Sequence, residues 1–225
     1  YIIDIGAVST RQGALEVSAE EEKNRLLPVL KEVRRLFPSC IISIDTYRAE
    51  IAKTAAGEGA DIINDISGGN MDPDMLPAIA QLQIPYVIMH MQGTPATMQL
   101  EPSYSNVVDE VKQFLLDQVT KLENMGHHKI ILDPGFGFGK TVEHNYFLLD
   151  RLEELVNTGY PVLAGFSRKS MINRVLGANP SEALNGTTVL NTVALLKGGS
   201  ILRVHDVKEA VEATKLVEAM KNFIR

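Results

Sequence analysis

Short apolar runs rich in branched side chains alternate along this chain with longer segments of helical period. The runs are YIIDI, CIISID, DIINDI, PYVIMH, KIILD, PVLAG and SILRV, seven in all. They are apolar on both faces, as parallel strands are when helices cover each side of a sheet. Most spacers are long enough for a crossover helix, so the pattern predicts an α/β protein. Ser18 with Glu21 forms a capping box ahead of the stripe Leu26, Leu30, Val33 and Phe37, and Pro28 predicts a bend there because it removes an internal hydrogen bond. Asp72 before Pro73 marks another helix start. Val111, Leu115, Val119 and Leu122 stripe a helix ending near Gly126, and Leu148, Leu149, Leu152 and Leu155 stripe one that stops at Gly159. Asp206 with Glu209 repeats the capping pattern before Val207, Ala210, Val211, Thr214 and Val217. No repeat, low-complexity tract or Gly/Ser linker interrupts the order, so residues 1–225 read as a single domain.

A closed (β/α)8 TIM barrel and an open doubly wound sheet both suit this alternation. Closure needs eight strands and seven are visible; because YIIDIG opens directly on a strand, the barrel reading expects a first βα unit outside this chain. The placement of costly residues favours the barrel. Six of the seven runs end in, or directly before, a polar residue: Asp45, Asn64 with Asp65, His90, Asp133, Arg168 with Lys169, and Arg203 with His205. In a barrel those ends converge on one mouth, whereas in an open sheet they spread along an edge.

Composition narrows the chemistry. With 22 basic and 28 acidic residues the net charge is −6 and no basic tract occurs, which argues against gripping a nucleic-acid backbone but leaves room for a small anion held by a few cations. Cys40 is the single cysteine, so no intrachain disulfide forms, and a reducing, cytoplasmic setting fits. The uncharged stretch Ile84 to Leu100 contains His90, Gln92, Gly93, Thr94, Pro95 and Gln99, and predicts no membrane span. HxH, HExxH, His/Cys clusters and GxSxG are all lacking, so an all-protein zinc site or a serine elbow is not expected.

Strand alternation sorts the polar residues. Asp133 shares a face with Ile131, and Asn64 with Ile62 and Ile66, so both point where apolar neighbours point and need partners. Asp65 points the other way, toward a structural role. Asp45 precedes Thr46 and reads either as a cap or as part of the site; Asp72 and Asp206 read as caps. Arg203 and His205, two apart on one face and ahead of a helix, suggest a phosphate or pyrophosphate seat, and Lys169 can reach the same mouth. Ser167 and Ser170 read equally as caps or ligand contacts. In DPGFGFGKT, Gly135, Gly137 and Gly139 suggest a mobile or tightly turned segment, in which Phe136 and Phe138 can fold over something planar or one of them packs back on the fold, and the two readings are compatible, one for each Phe. Met89 and Met91 flank His90 and suit a flat pocket, while His127 and His128 are expected in solvent.

These blocks together carry a resemblance to a known family. DIGAVSTRQGA, SIDTYRAEIA, INDISGG, MHMQGTPATMQ, ILDPGFGFGKT, GFSRKS and RVHDV, in this order, resemble the dihydropteroate synthases. The resemblance implies a (β/α)8 barrel that joins 6-hydroxymethyl-7,8-dihydropterin diphosphate to 4-aminobenzoate, releasing pyrophosphate, with Mg2+ as cofactor and a homodimer as the assembly. It implies pterin contacts from Asp45, Asn64, Ile66, Met89, Asp133, Phe138, Gly165, Lys169 and Arg203, with Asp45, Lys169 and Arg203 catalytic. It implies diphosphate contacts from Arg203 and His205, and 4-aminobenzoate contacts from Thr10, Arg11 and Ser170. The Asn that meets magnesium in the family is expected in a segment before Tyr1. Departures are Ala7 in place of a second Gly, Gln12 in place of the Pro of STRPG, and SEALNGTT without its usual Arg. The rival reading is a pterin-binding barrel that transfers methyl from methyltetrahydrofolate, which has no use for a diphosphate pair; a degenerate barrel serving only as an assembly partner is the non-enzymatic one.

Overall fold

The computed structural model describes residues 1–9 and 17–223. All seven apolar runs are strands: β1 (Ile2–Gly6), β2 (Ile41–Asp45), β3 (Ile62–Asp65), β4 (Tyr86–Met89), β5 (Ile130–Asp133), β6 (Leu163–Ala164) and β7 (Ile201–Leu202). The helices between them are α1 (Ala19–Leu36), α2 (Ala49–Gly57), α3 (Met75–Leu82), α4 (Val107–Asn124), α5 (Val142–Asp150), α6 (Glu153–Val156), α7 (Ser170–Leu176) and α8 (Leu184–Leu196), and α9 (Val207–Phe223) follows β7. Five strands form one sheet in the order β1-β2-β3-β4-β5, and β6 pairs with β7. The pairs β1–β2, β2–β3, β3–β4 and β6–β7 are parallel.

The chain divides into two compact units, 1–97 with 113–131, and 98–112 with 132–225. In the first unit, β3 and β4 are buried along their length, as strands apolar on both faces require. β1 departs from that expectation: Ile2 and Ile3 remain 39% and 37% exposed, because among the described residues β1 stands at the end of the sheet beside β2. α1 starts at the predicted cap, Ser18 Oγ accepting from Glu21 N at 3.2 Å, while the Glu21 carboxylate accepts from Arg25 Nε at 2.7 Å, and the helix buries Leu26 and Leu30 and runs through Pro28. Leu115, Val119 and Leu122 of α4 are buried in the same way.

In the second unit the stripe Leu148, Leu149, Leu152 and Leu155 is buried, yet it spans two helices instead of one. At the junction Leu152 N bonds Leu149 O, tightening the last turn of α5 to i→i+3 spacing before α6 restarts. α5 begins with Thr141 as its cap in a reciprocal box with His144.

Asp65 shows how one carboxylate can organise a loop. It is fully buried and accepts from Ser67 N and Ser67 Oγ at 2.8 Å each, from Gly69 N at 2.8 Å and from Tyr86 OH at 2.6 Å. Burial pushes its carboxyl up despite these donors, and the same burial together with the carboxylate raises the Tyr86 phenol far above its ordinary range. Gly69 turns there at φ 86°, and a Cβ on it would meet Leu76 Cδ2 at 2.6 Å. The opposite-face reading of Asp65 therefore holds, and its role is structural. Tyr86→Phe strips a charge-assisted donor from a buried carboxylate and should lower the unfolding free energy by about 1–3 kcal/mol. Urea denaturation checks this, with native activity at low denaturant expected to survive.

Candidate active site

In the first unit, the candidate residues lie at the C-terminal ends of β2, β3 and β4. Asp45 closes β2, half-buried, in register with Gly6 on one side and Asn64 on the other. A Cβ on Gly6 would stand 3.1 Å from Asp45 Cβ, so glycine there lets the carboxylate sit close to β1. Asn64 is buried and its Nδ2 donates to Asp4 Oδ2 at 3.4 Å. Val87 pairs with Asn64, and Met89, two residues on, therefore shares the face of Asn64 and Asp45. Ile66, the next same-face residue of the β3 run, is buried.

Asp45 is not the cap of α2, which starts after Arg48. Thr46 next to it donates to the buried Glu22 at 2.7 Å, and Arg48 pairs with Glu22 and also donates to Val17 O at 2.6 Å. Asp72 serves as a cap across helices: its Oδ2 accepts from Ala49 N, the first residue of α2, at 2.7 Å. His90 packs edge-on against Phe114 at 5.1 Å, away from the face of Met89. His127 corrects an expectation of exposure. It is fully buried because the chain folds back after α4, His127 N bonding Leu122 O while Nε2 meets Lys129 O at 3.3 Å.

The second unit holds the sharper constellation. Asp133 ends β5, 7% exposed, and accepts from Gly135 N at 2.7 Å. Lys169, just before α7, donates to Phe136 O and lies 4.8 Å over the Phe138 ring. Phe136 is buried against Phe166 at a ring separation of 4.4 Å, while Phe138 stays half-exposed beneath the ammonium, so the two phenylalanines divide between core and site. Gly165 follows β6, and a Cβ on it would lie 3.6 Å from Arg203 Cβ and 3.8 Å from Lys169 Nζ.

Arg203 and His205 lie just beyond β7, not within it, and both are exposed; Arg203 N still bonds Ala164 O at 2.9 Å, continuing the pairing. His205 Nδ1 meets Ser167 Oγ at 2.8 Å, and His205 N donates to the same oxygen at 3.2 Å. Ser167 thus orients the imidazole and is not a helix cap. Ser170 opens α7 in an exposed position beside Lys169. Asp206 takes the guanidinium fork of Arg168 at 2.6 and 3.2 Å. Thr10, Arg11 and Gln12 lie outside the described residues.

Sequence reasoning missed four residues that build this constellation in the second unit. Lys140 is buried, and its Nζ donates to Gly135 O at 3.1 Å and Phe138 O at 3.0 Å. Asn145 accepts from Gly137 N at 2.6 Å; Gln99 and Tyr104 donate to Gly137 O and Gly139 O at 2.8 and 2.6 Å. A lysine closing a glycine-rich loop, GFGK, was the available signal.

The electrostatics follow from burial. Desolvation raises the Asp133 carboxyl, and Lys169, Gly135 N, Arg203 and Lys140 together only partly offset it. The amines shift the other way, Lys140 down to about 7 and Lys169 to about 8, again because burial disfavours their charged forms. One acceptor carboxylate at the head of a turn that carries an aromatic ring under an ammonium suits a flat heterocycle with adjacent N–H donors, and the exposed Arg203 and His205 suit a phosphate-bearing arm.

Comparison with known proteins agrees with this chemistry. The family model described as pterin binding enzyme matches residues 1–205. The chain is 47% identical over 220 residues to the dihydropteroate synthase of Escherichia coli (strain K12), covering 97% of this chain and 77% of that protein. It superposes on the Yersinia pestis dihydropteroate synthase, solved with a sulfonamide drug complex, at a TM-score of 0.94 with 41% identity over 98% of this chain and 80% of that one. The Thermus thermophilus dihydropteroate synthase in complex with 4-aminobenzoate gives 0.90 and 43%, over 97% and 83%. The chain belongs to the pterin-binding enzymes, and among them to the dihydropteroate synthase family. The methyl-transfer and non-enzymatic readings are set aside.

The depressed amines make a signed prediction. Both lysines titrate below the unfolded value of 10.5, so between about pH 7 and that value the unfolded chain holds protons that the folded one has lost. Stability from this source therefore rises with pH. Lys140→Met should flatten the rise relative to the parent protein in urea denaturation from neutral to alkaline pH; an unchanged slope would mean that Lys140 ionises as it does in water.

Proposed function

We propose a residue-level account of the reaction this transferase carries out, the condensation of 6-hydroxymethyl-7,8-dihydropterin diphosphate with 4-aminobenzoate to give 7,8-dihydropteroate and pyrophosphate. The observation that carries the account is the buried Asp133 carboxylate, held by Gly135 N at 2.7 Å at the head of the turn whose Phe138 ring lies 4.8 Å under the Lys169 ammonium. Asp133 accepts the paired N–H donors of the amino-pyrimidine edge, Asn64 supplies a further donor and acceptor, and Phe138 and Lys169 hold the ring plane from one side. Met89, Ile66 and Gly165 shape the pocket; Gly165 does so by lacking a Cβ. Arg203 and His205 hold the diphosphate, and Thr10, Arg11 and Ser170 hold 4-aminobenzoate.

The chemistry needs little more. The bond between the pterin methylene carbon and the diphosphate oxygen breaks with its electron pair leaving on pyrophosphate, and the methylene takes on positive charge. Asp45 stabilises that charge, and the aromatic amine, already nucleophilic when neutral, forms the new C–N bond and gives its proton to the departing pyrophosphate or to water. Magnesium supplies further charge neutralisation to the leaving group when bound. Among the described residues no group of three or more His, Cys, Asp or Glu could hold a metal, so no residue here is assigned to it.

The wider reading is a closed (β/α)8 barrel acting as a cytoplasmic homodimer. The exposed apolar edge at Ile2 and Ile3 supports an eighth strand beside β1, and Val189, Leu196, Leu216 and Met220 on α8 and α9 give an apolar face suited to a second copy. No helix among the described residues is long and apolar enough to cross a membrane.

Replacing both Arg203 and His205 by Ala tests the account. With magnesium present, the double variant should lose affinity for the diphosphate form at least tenfold more than it loses affinity for the same dihydropterin without phosphates, where only the ring contact of Arg203 is removed. Equal losses would make the pair pocket-shaping residues, and no loss for either would remove them from the site. Calorimetric titration of both ligands gives the comparison.

A further inference from the structure

We propose that Lys140 is a positioning residue of the pterin site, its buried amine holding the Gly135–Phe138 turn so that Phe138 and Asp133 meet the ring in one fixed arrangement. The inference rests on the pterin reading above and extends it to a residue that does not touch the ring. Lys140 is 4% exposed, and its Nζ bridges the carbonyls of Gly135 and Phe138, the two ends of a turn already closed by Phe138 N to Gly135 O at 3.0 Å. The same turn leaves Asp133 by way of the bond from Gly135 N to its carboxylate, at 2.7 Å. One amine thus ties the residue that reads the heterocycle edge to the residue that covers its face.

The geometry also explains why the segment is glycine-rich. Gly135, Gly137 and Gly139 all have left-handed φ, at 68°, 82° and 59°, where side chains are strained. A Cβ on Gly137 would meet Lys169 Cδ at 3.0 Å. Glycines confer freedom as well as fit, and a chain that must present Phe138 in one orientation needs that freedom removed by other means. Lys140 does so from inside, and Asn145 from beneath, with Oδ1 accepting from Gly137 N and Nδ2 donating to the Lys140 carbonyl at 3.4 Å. A methionine or leucine would fill the same volume without the desolvation cost of a buried amine, so filling space does not account for the lysine.

The test compares Lys140→Met, Lys140→Arg and Asp133→Ala in the active enzyme. Calorimetric titration with 6-hydroxymethyl-7,8-dihydropterin reads pterin affinity, and the KM for 4-aminobenzoate at saturating pterin diphosphate reads the other substrate. Lys140→Met should weaken pterin binding at least tenfold and leave the KM for 4-aminobenzoate within twofold; Lys140→Arg, which keeps donors for both carbonyls, should recover most of the loss. If the Met variant does not fold, Lys140→Gln replaces it, since its shorter amide cannot span both carbonyls and the same selective loss is expected. Unchanged pterin affinity, or equal losses for both substrates, overturns the positioning role. If Asp133→Ala binds pterin poorly while Lys140→Met binds normally, only the role of Lys140 fails; if both bind normally, the pterin reading of the site fails with it.

Discussion

Much of this structure follows from keeping a carboxylate at the end of a buried strand. Asp133 stands where β5 leaves the interior, and burial drives its carboxyl toward the neutral form more strongly than the surrounding cations and the Gly135 N–H draw it back. Burial shifts the two neighbouring amines the opposite way, Lys140 down to about 7 and Lys169 to about 8. Acid and amines are each held in surroundings that disfavour their ions.

The arrangement also explains where rigidity is concentrated. The loop after β5 is bent by glycines and then fixed by side-chain donors, so preorganisation comes from the neighbours and not from backbone preference. The loop after β3 solves a similar problem with one acceptor, Asp65, gathering donors from Ser67, Gly69 and Tyr86. Both loops follow strand ends that carry an acid, but Asp65 gathers donors from three residues whereas Asp133 accepts from Gly135 N.

Period and alternation alone make much of this legible. All seven strands are visible because branched apolar runs of that length have few other uses, and the opposed roles of Asn64 and Asp65 follow from alternation. That one of Phe136 and Phe138 packs into the fold is open from the sequence, but which of them does so is not fixed by their spacing. What stays hidden depends on how loops close. Lys140 bonds carbonyls of its own turn, Tyr104 and Gln99 reach it from 35 and 38 residues away, and His127 is buried by a chain reversal that its place after a helix does not announce. The break between α5 and α6 leaves no mark in the leucine stripe, since all four leucines are buried on either account.

The central claim is that Asp133 reads the heterocycle as an anionic acceptor. Asp133→Asn preserves size and the oxygen that receives Gly135 N, and removes the charge together with one acceptor. Titrating this variant and the parent with 6-hydroxymethyl-7,8-dihydropterin by calorimetry isolates that difference. Loss of a charge-assisted bond of about 1.5–3 kcal/mol predicts roughly tenfold or greater weakening, with stability retained. Equal affinity in the two proteins would contradict the account.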